Sequence, residues 1–501
     1  MFLFYLLLTI TNIIYIKNEK LIFAETFSRH GARAPIKTND TGYDLMGVQW
    51  KAPGELTALG KRMEYVLGLY NRRKYILDKE LLSKSYDPHE LIVYSSDVNR
   101  TLLSMTSQLQ GMYPASNEEG NILKPGQYDI TSYPPFNLTI DDFKDEIKNL
   151  NDSAIPNYMN IIPIHWISLK NGSTECSDRV KEFNDNNAKN FPFIANFTEE
   201  FNKNYTTKLN ELYHKPDNST FDYAAINAMF DTMVVDITEG NNITGFFKIT
   251  GIDMDYFMSI RYEISKVFFR DFMYGDEKSE VILFYDSLLF KDMLNYMKRR
   301  IEDDINDDIS YKNVSDFSRP KMVMISAHDT TLSAIEMFFI RFFGIEFEKF
   351  ELPVYTSQIT FEITRDDNIT NKKSLHYSDY MVSYYFNEKL MLNVTFDKFV
   401  ETIESAIWNQ TEMDSFCFPN KNDNKNDNKN ENKNENKTKK KNFFTTNKII
   451  MMCMGLIILI LIIIIIVLGV KLSKKPKIGS WLDNDKAEKF SDERIVNDDE
   501  D

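Results

Sequence analysis

The stretch Arg29-His30-Gly31-Ala32-Arg33-Ala34-Pro35 follows the apolar run Leu21 to Phe27, which predicts a buried strand that ends in a polar loop. The loop places one imidazole between two guanidiniums. A neutral imidazole nitrogen can attack phosphorus, and planar guanidiniums bind phosphate oxygens in pairs. The loop therefore indicates a phosphate site, although an ordinary surface loop is the alternative that the rest of the chain must exclude.

A second predicted strand, Leu91 to Tyr94, also ends in polar residues. The segment from Ser95 to Asp97 offers N-cap side chains for a following amphipathic helix. Arg100 falls in the first turn of that helix, where the helix dipole disfavours a cation. An anionic ligand beside Arg100 would explain this placement.

A third junction lies far downstream, where the apolar run Met322 to Ile325 is followed by His328 and Asp329. A histidine that merely caps the next helix is the alternative for His328, and the adjacent carboxylate favours a functional role. In an open α/β sheet, ligands bind beyond the carboxyl ends of the strands, so we expect this junction to lie close to His30.

The alternation of strands and helices predicts an α/β fold, a three-layer sandwich with a mostly parallel central sheet. Between about Ser132 and Phe269 this alternation is lost, which predicts an inserted, mainly helical cap. Alternating apolar residues after Ser357, such as Ile359 and Phe361, predict late strands.

The two ends of the chain predict membrane targeting. The first 16 residues are almost wholly apolar, as in a signal peptide; an uncleaved anchor and a buried strand are the alternatives. Ile449 to Val470 carries no charge and matches one bilayer crossing, a single C-terminal transmembrane helix. Together these segments predict a single-pass type I protein with its bulk in a lumen or outside the cell.

Seven segments follow from these patterns. They are a signal peptide (1–19), the first part of an α/β catalytic core (20–131), the inserted cap (132–269), the second part of the core (270–419), an Asn/Lys-rich disordered stalk (420–448), the transmembrane helix (449–470) and a cytoplasmic tail (471–501).

Composition limits the partners and modifications. The net charge of -15 argues against nucleic-acid binding. Cys176 and Cys417 are candidates for one disulfide in a secretory compartment, and no cysteine spacing predicts a metal site. Asparagines in Asn-x-Ser/Thr sequons are glycosylation candidates, among them Asn137, Asn196, Asn242 and Asn393.

Four segments in order closely resemble the histidine acid phosphatase family, the branch of the histidine phosphatase superfamily that includes lysosomal and prostatic acid phosphatases and phytases. They are Arg29 to Pro35, Gly54 to Gly60, Ser96 to Thr101 and Ser326 to Thr331. The resemblance covers roughly Leu21 to Thr411 and implies a phosphoglycerate mutase-like core. Ser28, where the family usually has an apolar or aromatic residue, departs from the pattern, as does the small number of cysteines.

The resemblance implies a role for each matching residue. His30 would be the nucleophile that forms a phosphohistidine, and Asp329 would protonate the leaving alcohol. Arg29, Arg33, Arg100 and His328 would bind the phosphate. No metal or cofactor is implied; the substrate would be a phosphate monoester, and a homodimer is a further implication.

Three functions remain open on this fold. The leading one is a lysosomal-type, membrane-bound acid phosphatase. A phytase, or a phosphatase of inositol polyphosphates or lysophospholipids, is the second. The third is a catalytically inactive surface receptor, which would be expected to have lost one or more of the six site residues.

Overall fold

The computed structural model describes residues 19–36, 50, 52–116, 119–125, 127, 149–167, 192–256, 280–306, 319–345 and 353–418. Its centre is a seven-stranded sheet in the order β3-β2-β4-β1-β5-β6-β7. The strands are β1 (Glu19–Arg29), β2 (Leu91–Ser95), β3 (His165–Trp166), β4 (Met322–Ala327), β5 (Gln358–Asp366), β6 (Tyr380–Phe386) and β7 (Lys389–Thr395).

Helices follow or connect these strands. They are α1 (Ala58–Arg72), α2 (Asn99–Met112), α3 (Pro192–Leu212), α4 (Tyr223–Glu239), α5 (Thr244–Thr250), α6 (Glu280–Asn306), α7 (Asp329–Phe343), α8 (Phe396–Ala406) and α9 (Gln410–Cys417). The predicted α/β class is confirmed.

The sheet is mixed, which corrects the prediction of a mostly parallel one. Strands β3, β2, β4 and β1 pair in parallel, whereas β1 with β5, β5 with β6 and β6 with β7 pair antiparallel. The apolar pattern predicted the late strands but does not encode their direction. The parallel half carries the polar junctions at His30, Ser96 and His328.

Side chains of β4 alternate between the two faces of the sheet, as the strand period requires. Val323 and Ile325 pack in the core with α6, α7 and α8, whereas Met322 and Met324 pack with α2 in the core on the other face. The sheet thus lies between two helical layers. This arrangement holds the ends of β1, β2 and β4 in fixed positions.

Helix α1 packs on α2 through its small and polar face. Its buried residues are Gly60, Glu64, Gly68 and Asn71. Two apolar residues of the helix, Leu59 and Val66, are 38% and 53% exposed. Close approach of the two helix backbones therefore takes precedence over burial of these apolar side chains.

The start of α2 corrects a second prediction. Its N-cap residue is Val98, which makes no side-chain cap bond, and not a residue from Ser95 to Asp97. The Ser96 hydroxyl instead contacts Thr101 Oγ1 at 2.8 Å and His328 Nε2 at 3.0 Å. Ser96 therefore connects the polar residues that follow β2 and β4, and it does not cap the helix.

Replacement of Gly68 by alanine is expected to destabilise the protein. A Cβ atom at Gly68 would lie 1.9 Å from the backbone oxygen of Gln108, so the two helices must separate. We expect a loss of about 3 kcal/mol in the free energy of unfolding, measured by urea denaturation, despite the better helix propensity of alanine. Gly120→Ala is the control, because a Cβ there meets nothing within 4 Å. Equal stability of the two variants would contradict the close packing.

The described part of the predicted insertion is largely helical and has a hydrophobic core of its own. Helices α3, α4 and α5 contribute buried residues, among them Phe201, Met229 and Phe246. The short strand β3 also lies within 132–269 but pairs with β2 of the central sheet. The exact boundaries of the insertion stay a prediction.

Several predicted segments lie outside the described residues. They are residues 1–18 of the signal peptide, the stalk, the transmembrane segment 449–470 and the tail 471–501. Within the described ranges, no helix combines the length and the apolar character that a bilayer crossing requires.

Candidate active site

The polar junctions of three neighbouring parallel strands lie side by side at one edge of the sheet. His30 follows β1, Ser96 follows β2 and His328 follows β4. The backbone N–H of His30 donates to the carbonyl of Ala327 at 3.1 Å, and that of Ser96 donates to the carbonyl of Ser326 at 3.1 Å. Strand register therefore brings together residues that are up to three hundred positions apart in the chain.

His30 is buried and held in one orientation. Its Nδ1 lies 2.9 Å from the carbonyl oxygen of Gly31, so Nδ1 carries the proton and Nε2 keeps its lone pair. Burial, followed by the charges of Arg29, Arg33 and Arg100, lowers the pKa of His30 well below its usual 6.5. The imidazole is thus neutral, and Nε2 is the ring nitrogen whose lone pair is available.

Arg29 is fixed by three contacts. One terminal nitrogen donates to the carbonyl of Pro353 at 2.6 Å, and the other pairs with Asp329 at 2.7 Å. The Tyr355 ring lies against the guanidinium, 4.3 Å from its central carbon. The Nε atom of Arg29 has no partner among the described residues.

Arg33 is bound by a carboxylate of the cap. Its two terminal nitrogens donate to the two carboxylate oxygens of Asp231, at 3.1 and 2.8 Å, in a bidentate pair. Burial opposes the charge of Arg33, but the adjacent carboxylate raises its pKa above the ordinary value. Asp231 lies in α4, so this pair connects the cap to the loop after β1.

Arg100 and His328 contact each other. A terminal nitrogen of Arg100 donates to Nδ1 of His328 at 3.4 Å, and Nε2 of His328 lies 3.0 Å from the Ser96 hydroxyl. His328 occupies the N-cap position of α7 but forms no cap bond with its side chain. Its ring centroid is 5.6 Å from that of His30. The helix-capping alternative for His328 is therefore disfavoured.

Each of the three arginines has a buried Nε–H donor without a partner in the part of the chain that the structure describes. The Nε atoms of Arg29, Arg33 and Arg100 have no hydrogen-bond partner among the described residues. A buried donor without a partner is costly, and the cost is greater for a charged group. An anion with several acceptor oxygens beside His30 would satisfy them, which is what a phosphate group offers.

Asp329 opens helix α7 and is the acid that the sequence predicts. Burial favours its neutral form, but Arg29 and Arg33 outweigh burial and lower the pKa of the carboxyl below its usual 3.8. Without substrate, Asp329 is therefore a carboxylate paired with Arg29. A general acid must hold a proton, so the predicted role would require Asp329 to gain one when substrate binds.

Two residues at the site were missed from the sequence. Asp231 is one of many acidic residues in the cap, and Tyr355 follows a segment without strand or helix periodicity. The Tyr355 ring centroid lies 5.8 Å from that of His30, and its buried hydroxyl has no partner among the described residues. The one sequence feature that could have pointed to Tyr355 is its position just before the predicted strand that starts after Ser357.

The predicted modification sites are placed in part. Asn196, Asn242 and Asn393 are exposed, and Asn137 lies outside the described residues. Cys417 is disulfide-bonded, and the predicted partner, Cys176, is not among the residues that the structure describes. In the described ranges, no three His, Cys, Asp or Glu side chains cluster as metal ligands would.

Comparison with known proteins adds a family. Residues 20–387 match the Histidine phosphatase superfamily (branch 2), a span that includes all six predicted site residues. Lysosomal acid phosphatase of Xenopus laevis is 32% identical over 145 residues, which are 29% of this chain and 32% of that protein. Human prostatic acid phosphatase is 27% identical over 322 residues, 64% of this chain and 69% of the relative.

The aligned share of each relative's length differs between the two proteins. The chain spans about a third of the Xenopus protein that it matches and about two thirds of the human one. A solved structure, the apo form of Hafnia alvei phytase, aligns with 79% of this chain and 98% of its own at 12% identity, with a TM-score of 0.47.

Proposed function

Because the chain belongs to branch 2 of the histidine phosphatase superfamily, we propose that it is an acid phosphatase that hydrolyses phosphate monoesters at His30. One observation carries the proposal. Two buried guanidiniums, Arg29 and Arg33, and the half-buried Arg100 surround an imidazole whose Nδ1 is held by a backbone carbonyl, and the Nε donor of each arginine has no partner among the described residues. This arrangement fits a phosphoryl group next to a nitrogen nucleophile.

In the first step, the lone pair of His30 Nε2 attacks phosphorus and the bond to the leaving alkoxide breaks. The arginines stabilise the charge on the equatorial oxygens, and such electrostatic stabilisation, together with positioning, provides most of the catalysis in phosphoryl transfer. The Gly31 carbonyl stabilises the positive charge that develops on the imidazole, because it accepts the Nδ1–H bond. The product of this step is a phosphohistidine.

Asp329 would acquire its proton through substrate binding. A phosphate dianion competes for Arg29 and adds negative charge beside the carboxyl, and both effects raise the pKa of Asp329 from its lowered value in the free protein. The protonated carboxyl then donates to the departing alkoxide oxygen. In the second step, the Asp329 carboxylate takes a proton from water, which attacks the phosphohistidine and releases inorganic phosphate.

The test is hydrolysis of a phosphate-ester panel as a function of pH, with and without a chelator. His30 must be neutral, and its pKa lies well below 6.5, so activity should be lost only when the pH falls through that lowered value. We therefore expect kcat/KM for β-glycerophosphate to hold or rise between about pH 7 and about pH 5. A loss centred near the ordinary histidine pKa would contradict the environment of His30. Inhibition by the chelator would contradict a metal-free reaction.

The other two functions have less support. A catalytically inactive receptor has no need to keep all six site residues, and in this chain the six converge at one sheet edge. No single observation favours lysophospholipids, and inositol polyphosphates are disfavoured by the two carboxylates that pair with the site's arginines.

The proposed location is lumenal or extracellular, with the chain anchored by the segment 449–470. The signal peptide, the disordered stalk, the Cys176–Cys417 disulfide and the glycosylation of exposed sequons belong to the same proposal. Resistance of the full chain to carbonate extraction from membranes would support the anchor, and its release would exclude it. A homodimer is proposed from the family alone, and analytical ultracentrifugation would decide it.

A further inference from the structure

The contact between Asp231 and Arg33 places a second carboxylate beside the phosphate site. We propose that Asp231 is a specificity-determining residue that selects esters with a single phosphate and disfavours substrates that carry further phosphates. The inference rests on the proposed hydrolysis and concerns only which esters are accepted. It depends on three features of the contact.

The first feature is that Asp231 binds only one edge of the Arg33 guanidinium. Both terminal nitrogens of Arg33 are engaged by Asp231, and one of them also donates to the carbonyl of Ala34 at 3.1 Å. Nε is the donor without a partner among the described residues. A phosphate can therefore bind the Nε edge while Asp231 stays in place on the opposite edge, so Asp231 need not leave when substrate enters.

The second feature is the charge balance. The site contains three guanidiniums and two carboxylates, Asp231 and Asp329, and the proposed reaction protonates Asp329 when substrate binds. With substrate bound, the three guanidiniums and the Asp231 carboxylate carry a net charge of two positive, which a single phosphate dianion neutralises. A second phosphate on the leaving group would then find no compensating charge on these groups and would face the Asp231 carboxylate in a partly buried setting, where screening is weak.

The third feature is rigidity. Asp231 projects from α4, whose neighbouring residues Met229, Phe230 and Met233 are buried in the core of the cap. The last residue of the same helix, Glu239, accepts a bond from the Thr57 hydroxyl at 2.6 Å. Two contacts along α4 therefore fix it on the catalytic core, while the Asp231 side chain, 27% exposed, remains at the rim of the site.

The test compares Asp231→Asn with the wild type on two substrates, β-glycerophosphate and myo-inositol hexakisphosphate. Asparagine keeps the size and one acceptor oxygen but loses the charge. We expect the ratio of kcat/KM, hexakisphosphate over glycerophosphate, to rise about tenfold or more, as removal of one nearby charge implies. The rate with β-glycerophosphate should change much less. Asp231→Glu, which keeps the charge, should retain the wild-type ratio.

Glu239→Gln is the matched control. This substitution removes one negative charge from the same helix, about two turns from Asp231, at a residue that pairs with Thr57 and with no described arginine. It should leave the ratio of kcat/KM for the two substrates unchanged. An equal rise in this variant would reduce the effect to general charge and overturn the proposal. Equal loss of activity on both substrates in Asp231→Asn would also overturn it, because Asp231 would then only position Arg33.

A binding measurement separates this inference from the proposed function. Calorimetry with inorganic phosphate and with myo-inositol hexakissulfate as probes needs no turnover. Tighter binding of the hexakissulfate to Asp231→Asn, with phosphate affinity little changed, would support selection even if no ester were hydrolysed. Unchanged relative affinities would overturn the inference, and absence of turnover in the wild type would overturn only the proposed function.

Discussion

Replacement of His30 by alanine is expected to lower kcat for β-glycerophosphate by several orders of magnitude, the largest loss of any single change. The substitution removes the proposed nucleophile, and no other described histidine is placed to replace it. His328 is the nearest, but its two ring nitrogens contact Arg100 and Ser96. The fold should survive, because the imidazole forms its only described hydrogen bond with Gly31.

His89→Ala is the control for this change. His89 pairs with Asp87 in the turn before β2, at the opposite end of that strand from the site. Its loss should leave kcat within about twofold, as for most surface substitutions. Acid-sensitive phosphate trapped by rapid quench should map to His30 in the wild type and be absent from His30→Ala. A phosphoenzyme that maps to another residue would refute the assignment.

Neutralisation of Asp329 by asparagine is expected to have the second-largest effect, and the size should depend on the leaving group. An alkyl ester needs a proton on the departing oxygen, so kcat for β-glycerophosphate should fall by about 10² to 10⁴. A nitrophenolate leaves without a proton, so formation of the phosphohistidine from p-nitrophenyl phosphate should be little affected. Its breakdown should slow, since water then lacks a base.

The leaving-group dependence is the decisive measurement for Asp329. Pre-steady-state kinetics of Asp329→Asn with p-nitrophenyl phosphate should show a burst of nitrophenol followed by slow turnover. The exposed Asp97, which follows β2 at the same edge of the sheet, provides the control variant Asp97→Asn with no such pattern. Equal rates of both esters in Asp329→Asn and in the wild type would exclude the acid role.

The sequence predicted the site well where its residues are local to strand ends. His30, Arg100 and His328 each follow an apolar run within a few positions, and parallel pairing of β1, β2 and β4 is what converts those positions into neighbours. The structure adds the hydrogen bond from His30 to the backbone carbonyl of Gly31, an acceptor that the sequence pattern does not identify. The catalytic roles of these residues stay predictions.

Sequence-based prediction missed contacts between residues that are far apart in the chain and that no hydrophobic periodicity identifies. Arg33 and Asp231 are 198 positions apart, and nothing local distinguishes Asp231 from other acidic residues of an insertion. The exposure of apolar residues on α1 has another cause. The hydrophobic pattern predicts which residues prefer burial, but Gly68 and Gly111 let α1 and α2 approach so closely that the small and polar face of α1 is buried instead.

The separate hydrophobic core of the cap has a consequence for the evolution of this protein. Residues such as Phe201 and Phe246 pack among cap helices, whereas His30 and His328 stand on the sheet, whose core residues are different ones. Substitutions inside the cap, or extensions of its loops, should therefore leave the framework beneath His30 unchanged. On the proposed function, we expect substrate preference and bond-breaking chemistry to evolve as two loosely coupled traits, connected at the Arg33–Asp231 contact.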